Sequence, residues 1–126
     1  MPEELTDTER EALHALELGV EHVHRAFGAL VECHHETGRA MDRFETARRK
    51  LRAAGHDEFA DRLRDDLLPR GAVDDRWTYE LVEAFDDQIR ADAVDVEKQV
   101  RERLAGGERH VTEKGQKRAW RRRADR

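Results

Sequence analysis

The sequence predicts an all-α fold: a long helical hairpin with one short connecting helix, completed as a dimeric four-helix bundle. Three observations carry this. Every seventh residue from Ala12 to Ala54 is small, namely Ala12, Gly19, Ala26, Cys33, Ala40, Ala47 and Ala54. Beside that ladder run larger residues spaced alternately three and four apart: Leu13, Leu16, Val20, Val23, Phe27, Leu30, His34, Thr37, Met41, Phe44, Arg48 and Leu51. Large residues at heptad a and d with small ones at g describe one helix whose neighbour approaches closely. Finally, Leu, Ile, Val and Phe supply only 25 of 126 residues, near the level at which disorder becomes the default. A disordered segment has no reason to hold phase across this distance, so the core is thin and alanine-rich rather than absent.

Thr6 or Asp7 caps the first helix, with Glu9 in the capping-box position. The pattern runs to Ala54, where Gly55 is a left-handed stop. That length is roughly 72 Å at 1.5 Å per residue, against a radius of gyration of ~14 Å for a compact globule of this size. Either the helix breaks near Thr37-Gly38 or a second chain completes the core. Because the register crosses Gly38 intact, a continuous or merely bent helix in a dimer is expected. A short helix over 57–68 follows, capped by Asp57 and carrying Phe59, Leu63 and Leu67 on one side. Leu68-Pro69-Arg70-Gly71 ends it. Asp74 or Asp75 caps a third helix over 75–105, with Val82, Phe85, Ile89, Ala93, Val96, Val100 and Leu104 as its stripe. Those spacings repeat 3-4-4, which leaves a helix nearly straight. Gly106-Gly107 stops it. Residues 1–107 form the helical bundle domain and 108–126 a basic C-terminal tail, whose large apolar residues are Val111 and Trp120.

Charge divides along the same boundary. Residues 1–107 hold 16 Lys and Arg against 26 Asp and Glu, whereas 108–126 hold 8 against 3. Only four lysines occur, against 20 arginines. Abundant carboxylates, few lysines and little hydrophobic content suit high salt, where self-repulsion is screened. No apolar run approaches a membrane span and no signal-peptide pattern opens the chain, so a cytoplasmic location is expected. A lone cysteine, Cys33, forms no internal disulfide and fits a reducing compartment.

Several stretches resemble a group of uncharacterised small helical proteins from salt-loving (halophilic) archaea. They are Ala40-Met41-Asp42-Arg43, Leu68-Pro69-Arg70-Gly71, Asp75-Arg76-Trp77-Thr78-Tyr79-Glu80 and Gly107-Glu108-Arg109-His110-Val111. The resemblance spans most of residues 20–120. It implies the habitat and carries no activity, cofactor or partner to this chain.

Three Glu-x-x-His pairs lie on the first helix: Glu11 with His14, Glu21 with His24, and Glu32 with His35. Two such pairs plus two carboxylates build the di-metal centre of ferritin-like bundles. Here Glu11 and Glu32 fall at f, and His14, Glu21 and His35 at b, away from the seam; His24, at e, borders it. The third helix has no histidine, so a divalent metal held by Glu21, His24, Glu32 and His35 needs two copies of helix one. Solvated polar residues are the simpler reading. His34 sits on the seam, where a polar residue fixes register or meets its copy across a dimer axis. A satisfied core histidine is the plainer alternative.

Glu80-x-x-Glu83 and Asp92-x-x-Asp95 are acidic pairs of the kind with which all-helical nucleotide pyrophosphohydrolases bind magnesium. Here both lie on a single helix with no turn between them, so they cannot clamp one phosphate from two sides. Trp77 and Tyr79 are placed to cover the bundle end or pack a dimer. Arg48, Arg49, Lys50 and Arg52 make a basic end to helix one. In the tail, Lys114, Lys117, Arg118, Arg121, Arg122 and Arg123 surround Trp120, a pattern suited to gripping phosphates and stacking a base. The acidic body opposes this, and so does salt, which erodes counterion-driven affinity. Serine is absent and no nucleophile–base pair is visible. The reading is a non-catalytic helical interaction or scaffold protein. It acts as a homodimer through Ala12, Gly19, Ala26, Cys33, His34, Ala40 and Ala47. A di-iron-like metal-binding bundle is the second reading, and nucleic-acid association through the tail the third.

Overall fold

The computed structural model describes residues 5–106 and 110–125, and all of its regular structure is helical. α1 runs unbroken over Asp7–Ala53, through Gly38. Its start is the predicted capping box: Thr6 Oγ1 accepts from the Glu9 N–H at 3.1 Å, and Glu9 Oε1 accepts from the Thr6 N–H at 3.0 Å. It ends at Gly55, φ +88°. There the His56 N–H reaches Leu51 O and the Gly55 N–H reaches Arg52 O, the paired bonds that close a helix around a left-handed residue.

α2 covers Asp57–Arg62 and continues into a π-helical turn, Leu63–Leu67. Asp57 lies inside this helix; the cap position belongs to His56, which makes no capping bond. Asp57 instead pairs with Arg52, 3.5 Å away, and Asp61 pairs with the same guanidinium at 2.5 Å. α3 spans Thr78–Phe85, passes through a π-helical turn at Asp86–Arg90, and emerges as α4, Ala91–Ala105. Its cap also differs from expectation. Asp74 and Asp75 both take positive φ in a tight turn, and the Glu80 carboxylate caps the helix by accepting from the Trp77 N–H at 3.1 Å. Gly106, φ +60°, ends α4, and Gly107 lies outside the described residues. The basic tail forms a further helix, α5, Val111–Ala124.

The helices make two units, residues 25–87 and residues 1–24 with 88–126. In the first, α1 and α3 run antiparallel, as two cross-helix pairs define. Phe27 stacks on Phe85 with centroids 6.3 Å apart, and His34 Nδ1 shares a 2.6 Å hydrogen bond with the Thr78 hydroxyl. Thr78 is buried, so His34 is the satisfied core histidine. On the surface of this unit, a hydrogen bond from Arg48 holds the Glu45 carboxyl below its usual range, and Arg64 does the same for Asp65. These contributions exist at neutral pH and fade as pH falls through the lowered values; salt screens both. In the second unit α1 and α4 are again antiparallel, with Leu13, Val20 and Ala105 buried.

Ile89 and Val96, expected on the α4 stripe, are 53% and 48% exposed. The π-helical turn accounts for this. One residue added to a helical turn sets the downstream faces back by about 100° relative to an unbroken α-helix. The shifted face turns Arg90, Glu97 and Arg101 inward and carries Ile89 and Val96 outward. Trp77 and Tyr79 are likewise exposed.

The tight turn leans on Gly71, φ +75°, where a Cβ would lie 2.8 Å from backbone atoms of Asp75. Gly71→Ala should therefore cost at least about 1 kcal/mol in urea unfolding. Gly38→Ala, in mid-helix with open space around it, should instead add roughly 0.8 kcal/mol. Equal losses at both positions would discard this account of the turn.

Candidate functional site

The second unit concentrates the polar chemistry on one edge of α1. At this edge His24 Nδ1 accepts from Arg90 Nε at 3.2 Å, and Arg101 lies 3.9 Å from Glu17. Arg101 donates to Glu97 at 2.6 Å. The three side chains Glu17, Arg101 and Glu97 are only 15%, 11% and 12% exposed. Two carboxylates thus share one guanidinium largely out of water, where charge pairing is essential to both partners. A polar cavity of about 180 Å³ opens beside them, also lined by Glu21, His24, His110 and Glu113.

α5 closes over this edge. A ring nitrogen of His14 and one carboxylate oxygen each of Glu17 and Glu113 lie within 4.8 Å of one another. His14 Nδ1 and Glu17 Oε1 are sealed from solvent with no hydrogen-bond partner. A second cavity, about 310 Å³, is lined by Arg10 of α1 and by Thr112, Gly115, Gln116 and Arg118 of α5.

The opposite edge of α1 is bare. Ala12, Ala15 and Gly19 are exposed, and a Cβ added to Gly19 would meet nothing within 4 Å. Because Arg90 and Arg101 define the polar edge of α4, Ile89 and Val96 mark its other edge. The antiparallel register set by His24–Arg90 and Glu17–Arg101 brings Val96 level with the turn around Gly19. One half-exposed branched side chain, Val96, therefore stands level with the Gly19 end of this strip of small residues.

The expected site residues are dispersed accordingly. Glu21 and His24 face the polar cavity, whereas Glu32 and His35 lie exposed in the other unit, so one chain does not gather the four. Of the small ladder, Ala12, Gly19, Ala26 and Cys33 are exposed and Ala40 and Ala47 are half-buried, while His34 is engaged by Thr78. Of the a and d residues, Phe27 and His34 meet α3 of the same chain, Leu13 and Val20 are buried, Phe44 is exposed, and Leu51 lines a groove with Phe59 of α2. Lys114, Lys117, Arg118, Arg121, Arg122 and Arg123 are exposed along α5, and Trp120 is 55% exposed rather than docked. Glu83 and Asp92 are exposed, and Asp95 accepts from Gln99 at 2.7 Å. Cys33 is a free thiol on the surface.

Sequence reasoning misses Glu17, Glu97, Arg101 and Glu113. Two local signals point to them: His14-x-x-Glu17 on one helical face, and Glu97 four residues before Arg101. Neither reveals that α5 returns to meet them.

In the other unit Leu51, Phe59, Leu63 and Leu67 form an apolar groove of about 410 Å³, with Arg62, Asp66 and Arg70 at its rim. No described helix is long and apolar enough to cross a membrane. No protein-family model, curated protein or solved structure matches the chain.

Replacing Arg101 by Met leaves Glu17 and Glu97 facing each other with no cation between them. A loss of about 3 kcal/mol is expected in chemical denaturation at neutral pH. Adding Glu97→Gln to that variant should recover part of it. A single variant within 0.5 kcal/mol of wild type would show the guanidinium to be dispensable.

Proposed function

We propose that this chain is a non-catalytic helical interaction protein that works as a homodimer, with a second copy covering the bare edge of α1. The observation that carries the reading is the exposed strip at Ala12, Ala15 and Gly19, with half-exposed Val96 level with its Gly19 end. Small residues let a second helix backbone approach, and Val96 adds apolar area that it would cover. The thin core argues for the same occupant. Leu13, Val20, Ala60 and Ala105 are the buried apolar residues among those described, and so few burials leave a helical hairpin little stability of its own. A second copy offers the same strip in return, as a two-fold interface requires.

The net charge of −5 opposes self-association at low ionic strength. Screening removes this barrier in concentrated salt, which suits the high-salt habitat implied by composition. The basic side chains of α5 remain solvent-facing, and the acidic body beside them disfavours nucleic acid as the partner.

Sedimentation equilibrium in about 0.2 M and about 2 M KCl tests this. The wild type should be dimeric in concentrated salt and dissociate more readily in dilute salt. Gly19→Leu should be monomeric in both with an unchanged far-UV circular dichroism spectrum, because a Cβ at this position meets nothing within 4 Å and the site is exposed. A wild type that stays monomeric in both salts at about 100 µM would sink the proposal. So would a Gly19→Leu variant that dimerises as well as wild type.

A further inference from the structure

We propose that His14, Glu17 and Glu113 form a binding site for one divalent transition-metal ion of the zinc class, tying α5 to α1. The three ligands come from a single chain, so the site does not depend on dimer formation. His14 and Glu17 are three apart on α1 and so share a face; Glu113 arrives from the first turn of α5. Their ligand atoms lie within 4.8 Å of one another. Ligands of a tetrahedral ion with bonds of ~2.1 Å stand about 3.4 Å apart, a closure that side-chain rotation supplies.

Burial adds a second, independent indication. His14 Nδ1 and Glu17 Oε1 are both cut off from water and lack hydrogen-bond partners. An imidazole nitrogen and a carboxylate oxygen each offer a lone pair, and a cation satisfies the two at once. Arg101 does not do so. Its terminal nitrogen hydrogen-bonds Glu97 at 2.6 Å and stays 3.9 Å from Glu17, beyond hydrogen-bond reach. The surrounding charge also favours a cation: Glu17, Glu21, Glu97 and Glu113 line the adjoining cavity against Arg101 alone among the formally positive side chains.

One imidazole with two carboxylates is a donor set for zinc and its first-row neighbours, whereas calcium and magnesium take oxygen ligands throughout. Three protein ligands leave a coordination position for water. The physical consequence is a pin: α5, a polar helix whose Trp120 faces solvent, is fastened to α1 through Glu113.

The test uses the full chain, stripped with chelator and titrated with zinc chloride by calorimetry in concentrated KCl. Cobalt(II) serves as a spectroscopic substitute. One ion per chain is expected, with a Kd of about 10 µM or tighter and visible cobalt absorption displaced by zinc. His14→Ala and Glu113→Gln should each weaken binding at least tenfold. Glu113 is exposed, so its glutamine variant keeps the fold even if the histidine variant does not. His35→Ala, an exposed histidine elsewhere on α1, should bind as wild type does. The proposal is overturned by zinc binding weaker than this, by a Glu113→Gln variant that binds as tightly as wild type, or by displacement of zinc by equimolar magnesium.

Discussion

A helix turns its apolar stripe to one side only, and α1 is a single helix of 47 residues. That constraint governs the rest of the molecule. α3 and α4 cover the stripe of large residues, from Phe27 against Phe85 to the buried Leu13 and Val20. Two edges of α1 are then left over in the unit containing its N-terminal half. One is polar and receives Arg90, Arg101 and α5; the other is small and, among the described residues, stays exposed at Ala12, Ala15 and Gly19. The polar edge binds its neighbours through charge, where removing one partner harms the other. The small edge gains nothing until a backbone comes close enough for dispersion to act.

Helix boundaries are legible in this sequence wherever a local chemical reason sets them. Thr6 with Glu9 and the glycines at 55 and 106 act within a few residues of themselves, so their roles can be read without the fold. The caps of α2 and α3 are harder to read, because aspartates abound and several stand near each start. Asp57 is drawn to Arg52, while Asp74 and Asp75 take left-handed conformations in the turn before Trp77. Short polar side chains tolerate that region better than most residues, so the turn uses them twice in succession.

The candidate site is less legible, for a reason that lies in tertiary geometry. Glu-x-x-His is the visible pattern on α1, yet its members divide between two units. His14 and Glu17, one turn apart, acquire meaning only when α5 brings Glu113 to them. The basic residues of α5 draw attention to its charge, and the single acid in its first turn is easily passed over. His34 shows the opposite case. A polar residue on a seam suggests a partner chain, but Thr78, 44 positions away, already satisfies it.

The π-helical turn at Asp86–Arg90 has a consequence that concerns the gene as much as the protein. The wide turn lets the chain carry one residue more than an α-helix would hold there while keeping Arg90 and Arg101 against His24 and Glu17. Loss of a single codon at the turn would therefore restore an unbroken α-helix and leave the faces of α4 where they are. The damaging event is a conformational one: were the same residues wound as regular α-helix, Ile89 and Val96 would rotate into the hairpin and Arg90 and Arg101 would leave α1.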